Sequence, residues 1–181
     1  MSDSSSISSW FDRCVLVLAQ GLGSGLLPKG PGTWGSLLGV VWLVLLLISG
    51  SAWIWAGAGL VAMILAVPIC SRAEIILGED DPPSVVLDEI VALPLTFLGP
   101  WLVMGTWPIG LIGQPSKVIH VFWPELLVGF LAFRLLDIAK PGPIGRIQNL
   151  PSGWGVVADD ILAGLAAGVI TGCVTWLRMG A

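Results

Sequence analysis

Charged residues divide this chain into long apolar runs. Between Gly30 and Ser71 there is no Asp, Glu, Lys or Arg. About 20 apolar residues cross the hydrocarbon core of a bilayer, so this stretch is too long for one spanning helix and suits two. Ser49, Gly50 and Ser51 interrupt it as a short turn would. The pattern predicts helices over residues 34–49 and 52–70, with Thr33 as N-cap of the first, just after Pro31 and Gly32. A polar loop, 72–84, follows; with Glu79, Asp80, Asp81, Pro82 and Pro83 it cannot sit in hydrocarbon. Those three acids read as solvated loop residues. The third run opens on Asp88 and Glu89 and continues to Trp107, with kinks expected at Pro94 and Pro100.

After a loop, 108–117, the fourth run reaches Lys140. Pro124 suits the first helical position, Glu125 the first turn, and Pro141 stops the helix. The last run starts near Gly155, carries Asp159 and Asp160 in its first turns, and stays uncharged until Arg178. The stretch from Cys14 to Pro28 is short and holds Gly21, Gly23 and Gly25, which suits a re-entrant or interfacial segment. Residues 1–9 are Ser-rich and read as a disordered tail. The expectation is an all-α, polytopic integral membrane helical bundle: about five transmembrane helices plus an N-terminal re-entrant or interfacial helix. Residues 10–181 form its single membrane-embedded domain.

Composition strengthens this picture. Of 181 residues, 55% are hydrophobic and 11% charged. A soluble domain carries about 25% charge, so the chain has too little polar surface for water. The net charge of −4 argues against nucleic acid. Ten Trp and no Tyr suit the membrane interface. Cys14, Cys70 and Cys173 show no metal-binding spacing and read as small buried hydrophobes. His120, the single histidine, falls far from the other polar candidates and reads as an interfacial residue.

Charge also orients the chain. If the 28–33, 72–87 and 140–155 loops are cytoplasmic, then Arg13, Lys29, Arg72, Arg134, Lys140 and Arg146 lie inside. Only Lys117 and Arg178 lie outside, which obeys the positive-inside rule. Lys29, Asp88, Glu89, Arg134, Asp137, Lys140, Arg146, Asp159 and Asp160 then converge on one face from four regions of sequence. Ionisable groups within a membrane bundle are functional candidates by default. Adjacent helical residues point about 100° apart, so at most one of each acidic pair need face a common site. Arg134, Asp137 and Lys140, three apart, share one helical stripe. Carboxylates facing cations suggest a site for Mg²⁺ and phosphate: Mg²⁺ takes oxygen ligands, and Arg grips phosphate with a fork of donors. The segment from Pro28 to Ser36, with Lys29, Thr33 and a helix start, could add phosphate contacts. A small cation or proton transporter is the alternative, and it would spread its acids through the membrane depth. A structural subunit would bind no metal.

Four blocks resemble the bacterial phosphatidylglycerophosphatase A family. They are Gly23-Ser24-Gly25-Leu26 with Pro31-Gly32-Thr33-Trp34-Gly35-Ser36-Leu37; Val85-Val86-Leu87-Asp88-Glu89; Phe133-Arg134-Leu135-Leu136-Asp137 with Lys140-Pro141 and Pro143-Ile144; and Gly155 with Asp159-Asp160-Ile161-Leu162-Ala163-Gly164. The resemblance implies a Mg²⁺-dependent lipid phosphatase of the bacterial inner membrane. Such an enzyme hydrolyses phosphatidylglycerophosphate to phosphatidylglycerol and inorganic phosphate, within phospholipid biosynthesis. Asp88, Glu89, Arg134, Asp137, Lys140, Asp159 and Asp160 match the motif positions; their individual roles do not come with the match. The expectation is that Asp88, Glu89, Asp137, Asp159 and Asp160 supply the catalytic and Mg²⁺-binding carboxylates. Lys29, Thr33, Arg134 and Lys140 would hold the phosphate, facing the cytoplasm. A metal-activated water or an aspartyl-phosphate would carry the reaction. The chain departs from the family at Ala92, Gly142 and Ser152, mostly small-residue positions.

Overall fold

Every apolar run is helical in the computed structural model, which describes residues 10–108, 111–148, 150–151 and 153–180. The expected tail, 1–9, lies outside the described residues. The helices are α1 (Trp10–Ala19), α2 (Pro31–Leu47), α3 (Ala52–Leu77), α4 (Leu87–Ala92), α5 (Leu98–Met104), α6 (Pro115–Ala139), α7 (Pro143–Ile147) and α8 (Gly153–Gly180). Among the described residues, four stretches are long and apolar enough to cross a bilayer: α3, α4 through α5, α6 and α8. Helix α2, with 17 residues, is the fifth apolar run, at the short end of the spanning range. The all-helical membrane bundle is as expected.

The structure moves several helix ends. Helix α2 starts at Pro31, not after Thr33. Its N-cap is Gly30 in the left-handed conformation, and Thr33 donates its backbone N–H to the Gly30 carbonyl at 2.9 Å. The fixed φ of Pro31 already suits the first helical position, so no side-chain cap is used. Helix α3 runs on to Leu77, past Arg72 and Glu74 into the expected loop, and ends at left-handed Gly78. Helix α6 starts at Pro115, and Pro124 lies inside it beside a kink at Phe122 (φ −108°, ψ 15°). Proline there removes one backbone hydrogen bond and bends the helix without ending it. In each case charge or proline marks a membrane boundary or a bend, while the backbone ladder continues.

Pro94 does break the third run. A 3₁₀ stretch, Leu93–Phe97, separates α4 from α5, whereas Pro100 sits in the first turn of α5 without disturbing it. Helix α1 has ten residues, about 15 Å at 1.5 Å per residue, too short to span. Asp12 takes Arg72 of α3 at 2.8 Å, and Ala19 accepts the Val86 N–H at 2.9 Å. Trp10 and Phe11 remain exposed. A short helix is expected here, as part of a re-entrant or interfacial segment. Cys70 is buried, but Cys173 is exposed on α8, contrary to expectation. The outer surface of a membrane bundle is itself apolar, so a thiol there needs no burial.

Helix α8 is central, packing against α3, α4, α5, α6 and α7. Gly164, Gly168 and Gly172 make this approach possible, forming a stripe four residues apart on its face. A Cβ at Gly168 would sit 2.8 Å from the Leu95 carbonyl oxygen, and one at Gly99 of α5 would collide with the Gly168 carbonyl. Small residues let helices pack closely where lipid removes the hydrophobic drive for association. Gly168→Val should therefore destabilise the fold by about 1–3 kcal/mol through overpacking. Gly57→Ala, at a glycine with open space around it, should not. Thermal unfolding in detergent measures both.

Candidate active site

One end of the bundle carries a cavity of about 310 Å³. Its wall comes from the start of α2, the 81–85 loop, the first turn of α4, the end of α6 and the second turn of α8. Of the residues singled out in the sequence, Asp88, Glu89, Arg134, Asp137, Lys140, Asp159 and Asp160 line it. Lys29 and Thr33 do not: both are exposed, and α2 instead presents Gly30, Pro31 and Gly32. Both members of each acidic pair face the cavity, more than the 100° rule requires. Glu89 reaches Ser36 of α2 and Arg134 of α6, while Asp88 lines the same cavity as Asp159 and Asp160 of α8.

The cations organise the acids. Arg134 Nη1 donates to Asp137 Oδ2 at 2.5 Å, one turn along α6, and to Glu89 Oε1 at 3.0 Å, across on α4. Ser36 Oγ lies 3.1 Å from Glu89 Oε2. Lys140 leaves the expected stripe, because it caps α6 in the left-handed conformation (φ 41°). Its Nζ donates to Asp159 Oδ2 of α8 at 2.6 Å. Burial pulls the Lys140 pKa down, but the hydrogen bond and charge of Asp159, with Asp81 and Asp137, outweigh this and raise it above the ordinary lysine range. Lys140 therefore stays cationic at working pH. Its contribution to stability is full below the ordinary lysine pKa and is lost only as pH rises through the raised value.

Glycine makes room for this network. A Cβ on Gly32 would collide with Glu89 Oε1, and one on Gly35 would sit 2.6 Å from Val86 Cβ. Two further positions join the network beyond the catalytic, metal-binding and phosphate-binding residues expected from the sequence. Ser36 is fully buried and bonds Glu89. Asp81, read as a solvated loop acid, lines the cavity and places Oδ2 3.9 Å from Lys140 Nζ. It too is left-handed (φ 49°), which Asp tolerates better than most residues. No local pattern separates Asp81 from Glu79 and Asp80; only the adjacent Pro82-Pro83 hints at a fixed turn.

The donor set suits a hard cation. Among the described residues no three Asp, Glu, His or Cys side chains are gathered so as to hold a metal ion by themselves. Glu89, Asp137 and Asp159 are engaged by Arg134 and Lys140. Asp88 Oδ1 and Asp160 Oδ2, however, are buried without any hydrogen-bond partner. Such orphaned oxygens are costly unless something completes them. Mg²⁺ needs only one or two carboxylates, because water and substrate phosphate fill its other positions. Asp88 and Asp160 therefore fit it.

Polar groups at the far end form a separate pair. Arg178 of α8 grips both oxygens of Glu125 at 2.6 Å, and Thr175 adds a 3.2 Å bond. Glu125 is thus a buried structural partner within α6, not a first-turn residue.

The family model for phosphatidylglycerophosphatase A matches residues 17–175. A phosphatidylglycerophosphatase A from Haemophilus influenzae is 32% identical over 157 residues, covering 86% of this chain and 85% of that protein. One from Escherichia coli is 34% identical over 160 residues, covering 85% and 80%. A Bacteroides thetaiotaomicron protein, provisionally named a phosphatidylinositol-3-phosphatase, is 32% identical over 166 residues, covering 90% and 94%. No solved structure matches the chain.

Proposed function

This chain belongs to the phosphatidylglycerophosphatase A family of membrane phosphatases, and from that premise we propose its reaction in detail. It removes the terminal phosphate of phosphatidylglycerophosphate, leaving phosphatidylglycerol and inorganic phosphate. It uses Mg²⁺ and works at the cytoplasmic face of the bacterial inner membrane. The observation that carries this reading is the cavity in which four acids of α4 and α8 meet Arg134, Asp137 and Lys140 of the α6 end.

Arg134 and Lys140 orient the phosphoryl group and offset the charge that builds on it during transfer. The backbone of Gly30–Gly32 lets the phosphate approach closely. Asp88 and Asp160 would hold Mg²⁺, which when bound polarises the phosphoryl group and lowers the pKa of a water. Glu89 and Asp137 fix Arg134 in place, as Asp159 fixes Lys140. A lipid substrate keeps its acyl chains in hydrocarbon while its head group reaches this end of the bundle, so no deep aqueous pore is needed. The transporter reading is disfavoured because the network gathers at one end, and the buried acid at the far end, Glu125, is neutralised by Arg178.

Phosphate release by purified protein in detergent tests the reading. Phosphatidylglycerophosphate should release phosphate with Mg²⁺ and none with EDTA. Folded protein inactive with every divalent ion would overturn the proposal. Hydrolysis of phosphatidylinositol 3-phosphate alone would move the substrate to that named for the Bacteroides relative.

A further inference from the structure

Two apolar grooves open on the outside of the bundle. One, of about 660 Å³, lies between α2 and α6. The other, of about 270 Å³, lies between α3 and α8. We propose that the α2/α6 groove is the seat of an acyl chain of the same phosphorylated lipid whose head group enters the charged cavity. This rests on the lipid phosphatase reading and extends it to the other end of the substrate.

Continuity carries the argument. Both walls of the groove are helices that also line the cavity. Helix α2 gives Gly32 to the cavity and Leu37, Val41 and Leu45 to the groove; α6 gives Arg134 to the cavity and Phe130 and Leu127 to the groove. The two helices run antiparallel here, so the groove leads directly away from the charged end. Leu37 follows Gly32 by five residues and Phe130 precedes Arg134 by four, a gap of about 6–8 Å at 1.5 Å per residue. A glycerol backbone bridges a gap of that size between phosphate and acyl chain. Every lining side chain is apolar, and Leu37, Val41, Trp123 and Leu127 are exposed, so a lipid can enter sideways from the bilayer. In the α3/α8 groove only the α8 wall also lines the cavity, since α3 contributes nothing to it.

A photoreactive phosphatidylglycerophosphate with a diazirine in one acyl chain tests the proposal in bilayer nanodiscs. Adducts should concentrate on α2 and α6 at the groove, and excess unlabelled lipid should remove most of them. Val41→Trp should remove them too. It should also raise KM for the long-chain substrate about tenfold, equivalent to about 1.4 kcal/mol, with kcat unchanged. Hydrolysis of a water-soluble short-chain analogue should not change. Adducts spread evenly over the outer faces of α3, α6 and α8, or competed only in the α3/α8 groove, would overturn the proposal. So would a groove free of adducts on a chain that runs as a dimer and becomes a monomer with Val41→Trp. Equal loss on both substrates would mark Val41 as merely structural and also overturn it. Competed groove adducts on a protein that releases no phosphate would uphold the groove while the phosphatase reading falls.

Discussion

Asp160→Asn is expected to reduce phosphate release by about 10²–10³-fold or more, the scale of losing one preorganised charge-stabilising group. The folded protein should at the same time become no less stable. Asp160 is 2% exposed, and its Oδ2 has no partner. A buried carboxylate in that state opposes folding, and an amide of the same shape relieves the cost. Activity and stability should therefore move in opposite directions, as at sites strained for function. Mg²⁺ sharpens the result. It should raise the Tm of the wild type, because a ligand that binds only the folded state stabilises it, and should fail to raise that of the variant. Full turnover in Asp160→Asn would remove this residue from the site.

Arg134→Met carries the largest expected effect on stability. The guanidinium is the shared partner of Glu89 and Asp137, both nearly buried. Removing one member of a buried ion network leaves uncompensated charge and costs about 3–5 kcal/mol. Thermal unfolding in detergent should show a drop well beyond that of Gly168→Val. Arg134→Met combined with Glu89→Gln should recover part of it, because one of the two orphaned acids is gone, and the non-additivity measures the coupling. Neither variant should regain activity. Arg134→Lys should also fall short, since one ammonium cannot reproduce the planar fork. A single variant with unchanged Tm would mean that Glu89 and Asp137 do not depend on Arg134.

One of the departures from the expected family residues is absorbed by packing. Ala92, where a glycine is usual, is fully buried against α8. Its carbonyl would lie 2.7 Å from a Cβ at Gly164, so the small residue needed at this crossing is supplied from the other helix. Ser152 lies outside the described residues.

The sequence by itself determined the class, the number of apolar runs, the short first helix and the motif residues of the candidate site. These follow from properties local to the chain: the length of hydrocarbon to be crossed, the cost of charge within it and the side-chain chemistry of each block. The tertiary structure alone decided which of those residues meet. It left Lys29 and Thr33 outside the cavity, brought Asp81 into it, set Ser36 behind Glu89, and turned both acids of each pair inward. It also divided the acids into those held by Arg134 and Lys140 and those left open at Asp88 and Asp160. None of this is local. Arg134 finds Glu89 because glycines on α2 let α4 close in. Lys140 finds Asp159 because a left-handed cap ends α6 beside α8. Periodicity says which face of a helix is apolar, but partners across helices depend on crossing distances that small residues set. The position of a glycine is visible in the sequence, and the carbonyl or carboxylate that fills its space is not.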